Sequence, residues 1–364
     1  MSISDLLKAM IEKDASDIHL KVGSGPIYRI NKRLIPEDRC GKFTKKDMEN
    51  IISQITTETQ RHEFEQKNEI DYAYLADNIG RFRVNIFRQR GESGIVMRRI
   101  KDKIPTFAEL NLPPIFEKIA MFERGIILVT GASSTGKSTT LASIIDYING
   151  NKNKHIMTLE NPIEYIHGDK KSVINQREIG VDTESFHAAL RHILRQDPDI
   201  IVIGEMRDAE SVMTSISAAE SGHVVLSSFH AEDTIQAITR MLDFFPHHER
   251  EQIRMQLANN LKAITCQRLL KKHGGEEDGL IPAVEILAIT SIASKLIREN
   301  KVKEIARVLQ HGEEGMCTFN MALATLYKKN LVTKEEALSK SSNPEALKIN
   351  LKGIYLDEDK GILG

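Results

Sequence analysis

The run Gly131-Ala132-Ser133-Ser134-Thr135-Gly136-Lys137-Ser138 has the residue types and spacing of a phosphate-binding loop, G-x-x-x-x-G-K-S, and Thr139 follows it. Backbone N–H groups of a loop that opens onto a helix N-terminus form an anion cradle, and glycine lets that backbone come close to phosphate. Lys137 is placed to reach the β- and γ-phosphates, and the Ser138 hydroxyl to ligate Mg²⁺. An apolar run, GIILVT, precedes the loop, and Leu141, Ile144, Ile145 and Ile148 follow it at helical spacing. That strand–loop–helix setting is the one the motif requires, so the expected ligand is ATP with Mg²⁺.

Turnover also needs carboxylates. DIIVIGE ends on Glu205, directly after an apolar run and a glycine. Gly204 stands where such a strand usually carries Asp, so Glu205 would have to hold the metal or its water. LENPIE supplies Glu160 and Glu164, either of which could polarise an attacking water. His230 follows HVVLSSF and could sense the γ-phosphate through an imidazole N–H; His223 opens the same run, with structural and functional roles in balance. Amphipathic helical stretches separate these apolar runs, which predicts an α/β fold with a parallel sheet. Ligands of such sheets sit at the carboxyl ends of the strands, where Glu160, Glu205 and His230 fall.

The elements that must position these groups read as two domains. Residues 1–103 predict a small α+β domain, with a helix over 44–66 and two strands, RFRVNIFRQ and GIVMRRI. Pairing these strands antiparallel about Arg90 and Gly91 puts Phe82, Val84, Ile86, Ile95 and Met97 on an apolar face. Arg81, Arg83, Asn85 and Arg98 then lie on the other face, with Arg83 opposite Arg98; Phe87 and Val96 share that face, so it is not purely polar. Like charges opposed in a ladder are destabilising, so an anion visiting that face would explain them. Residues 104–114, IPTFAELNLPP, read as a linker. The second domain occupies 115–364 and turns mostly helical from about 290. Arg191 and Arg195, four residues apart, would share a helix face with His187.

Composition narrows the classes. The formal net charge of −1, the absence of Trp and an aromatic content of 5% argue against a protein that tracks a nucleic-acid backbone, so no nucleic-acid partner is expected. No apolar stretch approaches the roughly 18 residues of a membrane span. Three distant cysteines, Cys40, Cys266 and Cys317, form neither a disulfide framework nor a four-cysteine zinc site. A cytoplasmic mixed α/β protein is expected.

Seven segments together carry a resemblance: DASDIHLKVG, GRFRVNIFRQR, GIILVTGASSTGKSTTLASIIDYIN, TLENPIEYIH, SFHAALRHILRQDPDIIVIGEMRDAES, AAESGHVVLSSFHAEDT and GMCTFNMALATLYKKN. The chain resembles the secretion and type IV pilus ATPase superfamily, most closely the pilus retraction ATPases of the PilT/PilU type. The resemblance implies a PAS-like first domain and a RecA-like, P-loop ATPase second domain with a helical C-terminal region. It implies a homohexameric motor that hydrolyses ATP to power pilin removal and twitching motility. Its partners would be a pilus inner-membrane platform protein and a paralogous pilus ATPase, with the motor peripheral at the inner-membrane base of the pilus.

Residue by residue, the resemblance implies Gly131 to Thr139 as the Walker A segment and TLENPIE as the acidic box, with Glu164 as general base. It implies Glu205 in an atypical Walker B, and His223 and His230 in a His box. Arg83 and Arg98 match first-domain arginines that reach toward phosphate, and Arg191 and Arg195 match a second pair. The chain departs from the pattern at Asn161, commonly Asp, in the loop interior ASST, and in SSFHAE. The retraction-type signature is partial, in IASKLIRENK (292–301). A pilus extension or type II secretion ATPase is the alternative. It would carry a longer N-terminal region and a four-cysteine insert, whereas KKHGGEEDG has no cysteine. A RecA-like nucleic-acid motor and a nucleotide-binding regulator without turnover are more distant readings.

Overall fold

The computed structural model describes residues 2–30, 33–37, 41–100, 103–274 and 279–351; Cys40 and most of the EEDG stretch lie outside them. The chain divides into two compact units, Met1–Lys103 with Glu164–Ile166, and Ile104–Ile163 with His167–Gly364.

The first unit runs α1 (Ile3–Glu12), β1 (Asp17–Lys21), β2 (Ile27–Ile30), β3 (Arg33–Pro36), α2 (Lys45–Ile55), α3 (Glu58–Lys67), β4 (Glu69–Ala76), β5 (Gly80–Gln89) and β6 (Glu92–Arg99). Among the described residues its strands form one antiparallel sheet in the order β3-β2-β1-β6-β5-β4. Leu6, Leu7 and Met10 of α1, and Met48, Ile51 and Ile52 of α2, join Ile18, Phe82, Val84, Ile86, Ile95 and Met97 in one core. The expected apolar face of the β5–β6 hairpin is therefore the buried one, and Arg83 pairs with Arg98 across it. The turn between the strands has Arg90 at φ 52 and Gly91 at φ 79. Two successive positive φ values make the tight turn whose twist matches the strands and fixes their register.

The single helix expected over 44–66 is two helices. Thr56 is extended, and Thr57 starts α3 by a capping box with Gln60. The apolar stripe that holds α2 to the core ends at Ile55, and α3 buries only Phe64.

The second unit begins with 104–114, which has no helix or strand. Phe107 and Leu112 are nonetheless buried with Phe116, Ile144 and Ile148. The proline-rich stretch is thus anchored in the second unit's core rather than spanning free between domains. Then come α4 (Ile115–Ala120), β7 (Gly125–Gly131), α5 (Lys137–Asn151), β8 (His155–Glu160), β9 (Val173–Glu178), α6 (Phe186–Ile193), β10 (Ile200–Glu205), α7 (Ala209–Glu220) and β11 (Val224–Phe229). They are followed by α8 (Thr234–Asp243), α9 (Arg250–Asn260), β12 (Leu261–Lys271) and β13 (Leu280–Ala288). The chain continues as α10 (Ser291–Arg298), α11 (Ile305–His311), α12 (Phe319–Lys328), α13 (Lys334–Lys340) and α14 (Pro344–Leu351). The sheet order is β13-β12-β7-β11-β10-β8-β9, parallel except where β13 meets β12. Helices cover it, with Leu190, Ile193, Ile216 and Ile238 in one core cluster and Phe116, Ile144 and Ile148 in another. Among the described residues no helix is long and apolar enough to cross a membrane.

Candidate active site

The sheet order explains why sequence-distant groups meet. β7 lies beside β11, β11 beside β10 and β10 beside β8, all parallel, so the carboxyl ends of these strands line one edge. β7 is buried along its whole length and delivers the phosphate loop there.

A Cβ at Gly131, whose φ is +145, would stand 2.6 Å from Thr135 Oγ1 and 2.8 Å from the Gln267 carbonyl oxygen, so only glycine fits. Ser134 and Gly136 are left-handed, at φ 61 and 88. Ser133 and Ser134 are exposed, Thr135, Ser138 and Thr139 half-buried. Thr135 Oγ1 donates to the Ala132 carbonyl at 2.9 Å. Lys137 opens α5 and folds back over the loop, its Nζ donating to the carbonyls of Gly131 (3.0 Å) and Ala132 (2.7 Å).

Underneath lies a group the sequence reading did not single out. Gln267 of β12, 1% exposed, pairs in register with Gly131 and donates Nε2 to Thr140 Oγ1 at 2.8 Å. It ties the first turn of α5 to the strand beside the loop. A lone amide inside the apolar run ITCQRLL is the signal that marks it. Its neighbour Cys266 pairs with Thr130, and burial pushes its thiol up to about 12, too high for it to act as a nucleophile.

Glu205 and His230 come together as a pair, Glu205 Oε1 lying 2.8 Å from His230 Nε2. The other oxygen, Oε2, accepts from Arg207 Nε at 2.7 Å. Arg207 is a second residue missed from sequence, where only its position two beyond Glu205 pointed to it. Glu160 ends β8, and its Oε1 accepts from Thr158 Oγ1 (2.7 Å) and Gln176 Nε2 (3.1 Å), so it is engaged by β8 and β9. A third missed residue, the acid Glu178, is buried at the end of β9 and accepts from the Ile163 N–H at 3.2 Å.

His223 is not brought to this edge. It precedes β11, at the opposite end of the strand from His230, and its Nδ1 lies 2.9 Å from the Ala218 carbonyl. Arg191 stands on α6 near Glu210, Nε to Oε1 at 3.8 Å, while His187 Nδ1 lies 2.7 Å from Glu210 Oε2. Arg195 falls beyond the end of α6 at Ile193, so it does not share the helix face of His187 and Arg191.

In the first unit, Arg83 and Arg98 each have a carboxylate on a neighbouring strand. Arg83 Nε donates to Asp71 Oδ1 at 3.0 Å, and Arg98 Nε to Asp17 Oδ1 at 2.7 Å. Intramolecular partners thus answer the opposed charges that, in the sequence, called for a visiting anion. Glu164 is exposed and groups with this unit.

The donor set suits a hard cation. Among the described residues no three His, Cys, Asp or Glu side chains gather as a metal cage. The oxygens of Ser138 and Glu205, with phosphate and water, are the kind of partial set Mg²⁺ takes. One of the two pairings on Glu205 must yield for it to bind directly.

The Type II/IV secretion system protein family matches residues 1–348. Type IV pilus ATPase PilU of Pseudomonas aeruginosa is 39% identical over 97% of this chain and 92% of its own length. Type IV pilus retractation ATPase PilT of the same organism is 39% identical over 95% of this chain and 99% of its own. The crystal structure of the pilus retraction motor PilT with bound ADP superposes with a TM-score of 0.90 at 41% identity, covering 96% of this chain and 99% of that one.

Proposed function

This chain belongs to the Type II/IV secretion system protein family, and from that membership we propose that it is an ATP-hydrolysing motor of type IV pilus retraction. The observation that carries the reading is the strand edge where the Gly131–Thr139 loop ends β7, with His230 at the end of the adjacent β11 and Glu205 at the end of β10 beyond it, in a fold matching an ADP-bound retraction motor.

The loop amides and the α5 N-terminus receive the triphosphate, and Lys137 exchanges the Gly131 and Ala132 carbonyls for phosphate oxygens. Mg²⁺ would be held by Ser138 and Glu205 and would supply charge neutralisation to the phosphates. Glu164 takes a proton from the attacking water as its oxygen bonds to the γ-phosphorus and the bond to the bridging oxygen of ADP breaks. His230 donates to the γ-phosphate, and Arg83 and Arg98 neutralise charge that develops in the transition state. Glu160, Arg191 and Arg195 support the nucleotide region without touching the reacting atoms, whereas His223, at the far end of β11, holds the turn after α7. The working form is a homohexamer, peripheral at the inner-membrane pilus base, acting on a platform protein beside a paralogous ATPase.

The test is phosphate release by the purified full chain. Mg²⁺-dependent release that falls at least 100-fold in Glu164→Gln and Glu205→Ala is expected, about 2.7 kcal/mol of transition-state stabilisation. No Mg²⁺-dependent release in the unmodified protein would overturn the motor. In cells, deletion should leave extra, immobile pili; loss of pili would indicate extension instead.

A further inference from the structure

On the solvent side of the first unit's sheet, four charged residues on four adjacent strands form one cross-strand row. Arg29 of β2 pairs in register with Asp17 of β1, Asp17 with Arg98 of β6, and Arg98 with Arg83 of β5. The row has one carboxylate, Asp17, set between two guanidinium groups. Arg98 Nε donates to its Oδ1 at 2.7 Å, Ser16 Oγ donates to its Oδ2 at 2.7 Å, and Arg29 Nε stands 3.6 Å from the same Oδ2.

Burial separates the two arginine–aspartate pairs of this face. The Asp71 side chain, which holds Arg83, is 41% exposed, so water can take it over when Arg83 leaves. The Asp17 side chain is 4% exposed. A buried carboxylate stripped of its cation carries the full cost of an uncompensated charge. Yet Arg98, 68% exposed on that same carboxylate, is the arginine with the freest reach toward a ligand. His19, on the same face of β1, cannot be the substitute cation, because burial first and the neighbouring Arg29 next hold its pKa below the usual value.

We propose that Arg29 is a positioning residue for Arg98: it takes over the buried Asp17 carboxylate when Arg98 turns to phosphate, and so makes that departure inexpensive. Three arginines against two aspartates allow it, since every acid keeps a base after Arg98 has gone. The inference rests on the reading that Arg98 acts on the triphosphate.

The test is steady-state ATPase activity, fluorescent ADP binding and thermal unfolding of the full chain carrying Arg29→Gln, Arg29→Lys, Asp17→Asn, Arg98→Ala and the double variant Asp17→Asn/Arg29→Gln. With Asp17 left to Arg98 alone, Arg29→Gln should lower kcat about tenfold toward the Arg98→Ala value while ADP affinity stays within about twofold. Arg29→Lys, which keeps the charge, should recover most of the rate. Asp17→Asn, which needs no cation, should restore Arg29→Gln to within about threefold of the unmodified rate. A purely structural role for Arg29 would lower the unfolding temperature and ADP affinity along with kcat. That pattern overturns the inference, as does a double variant no faster than Arg29→Gln. A slow Arg98→Ala beside an Arg29→Gln of unmodified rate overturns this inference alone. Arg98→Ala at the unmodified rate overturns the phosphate role of Arg98 and this inference with it.

Discussion

Replacing Gly131 with Ala should abolish tight nucleotide binding while leaving a folded protein. Three costs add at this position. The backbone sits at φ +145, where a side chain costs roughly 1–3 kcal/mol. The new Cβ would meet the Gln267 carbonyl of β12 at 2.8 Å, and β12 is hydrogen-bonded to β7, so relief means moving a strand at about 1–3 kcal/mol. It would also meet Thr135 Oγ1 at 2.6 Å, and shifting that hydroxyl gives up its bond to Ala132, about 1 kcal/mol net. The smallest total, about 3 kcal/mol, corresponds to more than 100-fold in affinity. The chain can escape most of this by letting the exposed loop relax. Stability then reports only the remainder, whereas binding, which needs the native loop, reports nearly all of it. Titration with a fluorescent ADP analogue, alongside urea unfolding, measures both. Gly312→Ala is the control: its φ is +66, its new Cβ would meet a flexible Met321 methyl at 3.4 Å, and it should cost about 1 kcal/mol of stability with ADP affinity unchanged. A folded Gly131→Ala protein that binds ADP within fivefold of the unmodified chain would refute the claim that this crowding shapes the cradle.

Glu285→Ala should destabilise the second unit by about 2 kcal/mol in urea unfolding, because its carboxylate accepts from Thr234 N, Thr234 Oγ1 and Phe319 N at the starts of α8 and α12. Burial raises the Glu285 pKa, so part of the loss is offset by no longer burying that charge. His167 gives a pH signature. Burial lowers its pKa to about 4 from 6.5, so the unfolded chain binds the extra proton, and the stability it preserves above pH 6.5 is lost as pH falls toward 4. From pH 7 to 5 that is about 2 kcal/mol, and His167→Phe should flatten that part of the stability–pH curve. Burial pushes the Cys266 and Cys317 thiols up to about 12. In a Cys40→Ser background the buried Cys266 should not react with an aromatic disulfide at pH 8 until the protein is unfolded, and the half-buried Cys317 should react slowly; rapid native labelling of Cys266 would contradict its burial.

Much of the strand edge was legible because its strands are short, largely apolar runs between helical stretches. GIILVT, HIMTLE, DIIVIG and HVVLSSF each became a strand within one or two residues of the expected ends. The β5–β6 register was legible for a different reason, since a two-residue turn leaves one pairing that buries Phe82, Val84 and Ile86 together. β12 was not legible. Leu261, Ala263, Ile264, Cys266 and Leu270 are buried on both faces, and a two-sided buried strand loses the alternation that would separate it from a helix. Asp17 and Asp71 went unseen as partners of Arg98 and Arg83 because their contact depends on sheet order. β1 reaches β6 across 70 intervening residues, and nothing local in DASDIH announces it. Thr57 could have been read as a helix start from its Gln three residues on, a signal masked by the helix-forming residues either side.

The displaced acid of β10 has a physical cause in the neighbouring strand. Against β11, Ile203 pairs with Ser227 and Glu205 with Ser228, so β10 carries an extra residue at Gly204. A bulge of this kind re-aims the side chains beyond it. A Cβ at Gly204 would lie 3.1 Å from the Leu159 carbonyl and 3.3 Å from the Glu160 Cα, tighter than nearly all such contacts. A carboxylate at 204, the usual place for this acid, would therefore need β8 to give way by a few tenths of an ångström. Ser228 Oγ closes the arrangement from the other side, donating to the Gly204 carbonyl at 2.6 Å. One residue later the chain is past the crowding, and Glu205 meets His230 from the end of β11. The same bulge thus explains both features of the site. The acid sits one position late because β8 packs so close, and it meets His230 because the re-aimed side chain now points along the strand ends toward β11.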